Sequence, residues 1–186
     1  MSLRRLDLLT GQQLMQIHDT KSIANTNRLL RSMSEYLHSF QHGNKKVYYL
    51  NKKGRECVNS SKVVKKTNQI DHILMRNNLY IMYGFPSSWR NEARISIGDR
   101  QVIADAYFKY EGTVCFVEVD HRQTMKENVK KIERYNELSS NSAEPFNLVW
   151  LTDIKSRETT LSKECVERGI NHVVLTADDL SAMGVM

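Results

Sequence analysis

Hydrophobic and polar positions change their period several times along the chain, and each change predicts an element. LTGQQLMQIHD sets Thr10 three residues before Gln13, a capping box in which each side chain satisfies an amide at a helix start. Leu14 and Ile17 then give that helix one apolar face. Ser22 caps a longer predicted helix, IANTNRLLRSMSEYL, whose Ile23, Leu30, Met33 and Leu37 recur at helical spacing. HGNKK reads as a basic turn, KVYYL as a β-prone run and NKKGREC as a return to helix. Asn59 to Lys66 is polar and β-branched without a period, the expected connection between two domains.

The second half alternates more regularly. Ile70, Ile73, Leu74, Leu79 and Tyr80 predict a helix that Gly84 and Pro86 stop. Strand-like EARISI, RQVIADAYFKY and TVCFVEVD follow, with turns at Gly98-Asp99 and Glu111-Gly112. A second capping box, Thr124 with Glu127, opens a helix lined by Val129, Ile132 and Leu138. NLVWLT and HVVLT are short apolar runs of the kind buried on both faces of a sheet. Between them lies amphipathic RETTLSKECVERG, ended by Gly169, and ADDLSAM makes a final short helix. The pattern predicts an α/β (α+β) chain. Residues 1–66 form a winged helix-turn-helix, and residues 67–186 an αβββαβ domain with a mixed sheet covered by helices.

Charge sharpens the first half of that picture. The chain carries +6, but residues 1–76 hold 14 Lys and Arg against 5 Asp and Glu, and residues 77–186 hold 13 against 16. A front half at +9 joined to a back half at −3 points to a polyanionic partner, double-stranded DNA, against the alternative of a merely solubilising surface. On the second predicted helix Asn25, Arg28 and Arg31 are placed to reach base edges, with Asn27 beside them. Lys45, Lys46 and Lys52, in and after the wing, are placed to meet phosphates. No apolar run approaches the roughly 20 residues that span a bilayer, and no signal-peptide pattern follows the N-terminal arginines. Cys57, Cys115 and Cys165 have neither metal-ligand spacing nor an even count, so a reducing, cytoplasmic setting is expected.

The order of elements in the second half is that of the PD-(D/E)XK nuclease core, and carboxylates fall where such a core keeps them. Asp105 lies in the second strand and Glu118 near the end of the third, with Glu92 at the start of the first as a further acidic ligand. Such oxygen donors would converge on Mg²⁺, which activates water and stabilises charge on a phosphate. The nuclease motif has Glu-x-Lys, whereas this chain has Asp120 at the lysine position. Lys126 or Lys130 would then be a relocated lysine, or Asp120 would form a plain ion pair with Arg122 or a helix lysine. Lys131 and Tyr135 resemble the Gln-x-x-x-Tyr element of exonuclease branches, with Lys in place of Gln. His121, beside the acidic pair, is a candidate proton shuttle or phosphate donor, and Trp89 and Trp150 read as core anchors. Lys126, Lys130 and Arg134 are either a solvated helix face or a phosphate track.

YYLNKKGRE, HILMRNNLYIMYG, WRNEARI and VIADAYF followed by FVEVDHRQTMKENVKKIERYNEL resemble the replication-relaxation family of bacterial plasmids, phages and integrative elements, here in a Gram-positive version. The resemblance runs from the winged helix through NLVWL, and its most specific part is Ala-Asp-Ala paired with Glu-Val-Asp. It implies a winged helix joined to a nuclease-like domain, with Glu92, Asp105, Glu118 and Asp120 as family positions and Glu-x-Asp as the usual form. His121 stands where Arg or Asn would be usual. Three readings follow. One is a DNA-binding protein of a mobile element, acting in replication or its transcriptional control, whose nuclease-like domain lacks the usual lysine. The second is a Mg²⁺-dependent endonuclease or nickase using Asp105 and Glu118, and the third a partner-binding module. The oligomeric state, monomer or homodimer, stays open.

Overall fold

Among the residues described by a computed structural model, 2–65, 67–98 and 100–185 without the side chain of Ile97, helix caps and strand alternation become eight α-helices, one 3-10 turn and eight strands. Asp99 of the expected Gly98-Asp99 turn and Lys66, the end of the expected connection, lie outside the described residues. Two compact units divide at Ile81 and Met82.

The first unit begins with α1 (Ser2–Leu6), β1 (Leu8–Thr10) and α2 (Gly11–His18). The Thr10–Gln13 capping box is present, with Gln13 N donating to Thr10 Oγ1 at 3.1 Å and Thr10 N to Gln13 Oε1 at 3.1 Å. Helix α3 (Ile23–Ser32) starts at the Ser22 cap but stops at Ser32, short of the expected Leu37. Leu37 instead opens β2 (Leu37–His42), which forms a hairpin with β3 (Lys45–Leu50) from Leu37↔Leu50 to His42↔Lys45. Nothing in LHSFQH alternates strongly; this strand is fixed by its partner rather than by its own pattern. The sheet order is β1-β3-β2, all antiparallel.

Helix α4 (Lys52–Cys57) is capped by Asn51, whose side chain accepts from Gly54 N at 2.9 Å. Gly54 is required by space: a Cβ there would lie 2.2 Å from Tyr36 O. Helix α5 (Ile70–Met82) closes the unit through buried polar contacts. Asn77 Nδ2 donates to Leu6 O at 3.0 Å and Leu8 O at 2.8 Å, and Gln13 Nε2 donates to Leu74 O at 2.9 Å. Arg76, itself buried, pairs with Asp7 at 3.2 Å. Such contacts satisfy backbone and charge that would otherwise be stranded away from water. They place the helix expected to open the second domain with the first unit instead.

The second unit is a five-stranded mixed sheet in the order β4-β5-β6-β7-β8. Strands β4 (Arg90–Ile97), β5 (Arg100–Tyr110) and β6 (Thr113–Asp120) are antiparallel. Helix α6 (Met125–Asn141), started by the expected Thr124–Glu127 capping box, carries the chain to β7 (Phe146–Thr152), parallel to β6. A 3-10 turn (Lys155–Arg157) and α7 (Glu158–Glu167) lead to β8 (His172–Thr176), parallel to β7, and α8 (Ala177–Ala182) follows. Interior β7, between β6 and β8, is buried on both faces as its apolar run requires. HVVLT, expected to be equally buried, is an edge strand with Val173 43% exposed. Trp150, Tyr135, Phe116, Leu148, Ile132 and Leu161 form the core, and Trp89 is likewise buried.

Candidate functional site

Strand register sets three carboxylates in a row. The β5–β6 ladder runs from Tyr110↔Thr113 to Ala106↔Val117, which brings Asp105 opposite Glu118. The β4–β5 ladder pairs Asn91↔Ala106 and Ala93↔Ala104, which brings Glu92 opposite Asp105. Beyond Ala106 the backbone pairing with β6 gives way to a side chain, and Val119 N donates to Asp105 Oδ2 at 2.8 Å. Glu92 is exposed and has φ of 51°, a left-handed conformation within the strand. Among the described residues no group of three or more His, Cys, Asp or Glu side chains stands ready to hold a metal.

Helix α6 supplies the rest of the centre. Lys131 and Tyr135, four residues apart, lie on one face of the helix. Lys131 Nζ hydrogen-bonds Glu118 Oε2 and stands 3.9 Å from Asp105 Oδ2. Tyr135 OH donates to Glu118 Oε1 at 2.7 Å. Glu118 and Tyr135 are fully buried and Lys131 is mostly so. Asn128, three residues before Lys131 on the same helix, is also fully buried, and its Oδ1 has no hydrogen-bond partner among the described residues.

This environment governs the protons. Burial, and then the charge of Asp105, push Glu118 up to about 8, against the opposing pull of Lys131 and Tyr135. For Lys131 burial acts to lower the value, but Glu118 and Asp105 together outweigh it and hold the ammonium above its ordinary range. Burial, followed by the negative charge of Glu118, lifts Tyr135 well above the usual phenol. The centre therefore sets a lysine ammonium and a tyrosine O–H on a carboxyl that holds a proton more tightly than an ordinary carboxylate.

Asp120 has a different role. Its Oδ1 accepts from Arg157 Nη1 at 2.6 Å and its Oδ2 from Thr152 Oγ1 at 3.0 Å. The same Arg157 nitrogen donates to Gln123 O at 2.7 Å, so the pair ties the ends of β6 and β7 to the 3-10 turn. The expected ion pair is thus formed with Arg157, not with Arg122 or a helix lysine. His121 Nδ1 lies 2.6 Å from Asp153 Oδ2. Lys126 and Lys130 are exposed, and the lysine that meets the acidic pair is Lys131. The only sequence signal for it was the Lys-x-x-x-Tyr spacing; Arg157 and Thr152 carried none.

In the first unit Asn25, Arg28 and Arg31 are exposed on α3 and Asn27 is half-buried. Asn25 Nδ2 donates to Thr20 O at 3.0 Å and Arg31 Nε to Asn27 O at 3.3 Å. Lys45, Lys46 and Lys52 are exposed, with Lys46 Nζ 5.6 Å from the Tyr48 ring centroid. A groove of about 350 Å³ is lined by Asn27, Arg31, His38, Lys46 and Tyr48. No helix among the described residues is long and apolar enough to cross a membrane.

The fold is a mixed α+β arrangement with a basic first unit and an acidic centre in the second. The chain belongs to the replication-relaxation family, whose model matches residues 1–147. That match takes in Glu92, Asp105, Glu118, Lys131 and Tyr135 and ends inside β7, before Thr152 and Arg157. No curated protein matches the chain. The crystal structure of protein VC1899 from Vibrio cholerae is similar with a TM-score of 0.45 and 11% identity, over 86% of this chain and 40% of that one.

Proposed function

We propose that this is a DNA-binding protein of a bacterial mobile element, a plasmid, phage or integrative element of a Gram-positive host, acting in replication or its transcriptional control. The first unit acts as a winged helix-turn-helix on double-stranded DNA, with α3 as the reading helix and the β2–β3 hairpin as the wing. One observation carries this reading. Exposed Arg28 and Arg31 on α3 and Lys45 and Lys46 on the hairpin belong to a unit at +9 whose three strands take the order β1-β3-β2. Gel retardation of a duplex at graded salt tests it. Arg28→Ala/Arg31→Ala should weaken binding and reduce the slope of log K against log salt by about 1–2, roughly one per lost phosphate contact. Binding without salt dependence, or equal in both proteins, would reject it.

A second reading, a Mg²⁺-dependent endonuclease or nickase on a PD-(D/E)XK-like second unit, is favoured by Lys131. The site contains a lysine after all, delivered by α6 instead of by the strand. The donors would suit a hard divalent ion: two carboxylates, with no thiolate. Asp105 and Glu118 would hold the ion, and when bound it would supply an activated water and charge stabilisation on the scissile phosphate. Lys131 would hold its charge beside that phosphate. Supercoiled plasmid incubated with Mg²⁺, Mn²⁺ or EDTA separates the readings. Metal-dependent nicking that is lost in Asp105→Ala and in Lys131→Ala supports the nuclease; retardation without nicking in any condition leaves the acidic centre as a scaffold.

A further inference from the structure

We propose that the cleft bounded by β4, β5, β6 and the end of α6 binds a nucleotide, its base against the half-buried ring of Tyr107 and its phosphate on Arg90 and Arg94. The cleft has a volume of about 390 Å³, within the range of small-molecule sites. Its wall is aromatic: the rings of Tyr107 and Phe116 are 6.0 Å apart and those of Phe116 and Phe146 5.0 Å. Phe116 and Phe146 are buried and back the half-buried ring of Tyr107, whose open face would stack any base without reading its identity.

The two arginines supply the second half of the recognition. Arg90 and Arg94, four residues apart on β4, are exposed at the cleft, and neither has a partner among the described residues. Elsewhere in the same unit Arg100, Arg157 and Arg168 are each paired with a carboxylate. A guanidinium presents a planar fork of donors that fits phosphate, and two at one mouth fit a dianionic monoester or a strand backbone. Glu144, from the loop after α6, lines the same cleft and offers an acceptor for a base amine. The cleft also adjoins the acidic centre. Phe116 precedes Glu118 by two residues on β6, so both share a face, and its ring stacks 5.8 Å from that of Tyr135. A nucleotide held here has its neighbour in a strand directed along β6 toward Glu118.

The same chemistry is offered by a free mononucleotide and by an unpaired nucleotide of a DNA strand. Calorimetric titration of the full chain with dAMP, with ribose 5-phosphate and with a 5′-phosphorylated eight-nucleotide DNA distinguishes them. Binding of dAMP assigns the site to free nucleotides, and binding of the oligonucleotide alone assigns it to a strand. In either case Arg90→Ala/Arg94→Ala and, separately, Tyr107→Leu should weaken binding roughly tenfold or more, with an unchanged thermal midpoint for the arginine variant. Repeating the titration in Arg28→Ala/Arg31→Ala keeps the first unit's duplex binding out of the readout, so the two proposals fail independently. No binding of either ligand, affinity unchanged in both variants, or ribose 5-phosphate binding as well as dAMP would overturn the assignment.

Discussion

Glu118 is the residue on which most of the second unit's chemistry turns. A carboxyl raised from its ordinary value to about 8 keeps its proton in the folded chain after the unfolded chain has lost it. The folded state then binds more protons, so this group's contribution to stability is full below the ordinary carboxylate value and is lost as pH rises toward 8. Wild type should lose stability relative to Glu118→Gln between pH 5 and pH 8; denaturant midpoints of the two proteins across that range check it, and parallel curves would show that Glu118 titrates normally. Asp120 gives the opposite kind of test. Arg157→Ala leaves a fully buried carboxylate with Thr152 as its remaining side-chain donor, at a cost of about 3–5 kcal/mol. The double variant with Asp120→Asn should recover part of that loss, as measured by urea unfolding.

Among the elements, helix α6 does the most positional work. Its start is set by a local capping box, and the helical period puts Lys131 and Tyr135 on one face, which packing against the sheet turns toward Glu118. At α4 the constraint is steric. Gly54 packs against the Tyr36 carbonyl with no room for a methyl group, and Asn51 fastens the same turn by donating to Glu35 O at 2.8 Å. Gly54→Ala gains helix propensity but forces the turn aside, so a net loss of about 1–3 kcal/mol is expected. A thermal midpoint equal to or above that of wild type would contradict this.

At the scale of the whole molecule, charge and fold divide together. The boundary at Ile81 and Met82 leaves the count of the first 76 residues unchanged, because residues 77–81 carry no charge. A unit at +9 and one at −3 differ sharply in their attraction to a polyanion. Glu118→Gln should therefore leave duplex affinity unaltered while Arg28→Ala/Arg31→Ala lowers it; a gel-retardation series at one salt concentration compares the two. Equal loss in both variants would mean that the second unit shares the duplex contact.

What the sequence determined by itself was local. Caps at Thr10, Ser22 and Thr124, the alternation in VIADAYF and the unbroken apolar run NLVWLT follow from contacts within a few residues, and the elements they predict are present. The juxtaposition of Asp105 and Glu118 was legible too, because antiparallel register across a tight turn is nearly fixed by spacing. Only the tertiary structure decided the rest. Strand β2 exists because β3 pairs with it, and α5 joins the first unit because Arg76 and Asn77 find their partners there. Lys131 meets Glu118, and Arg157 meets Asp120 across 37 residues of chain, because packing sets the phase of a helix and the path of a loop against the sheet. Local preference carries no information about either.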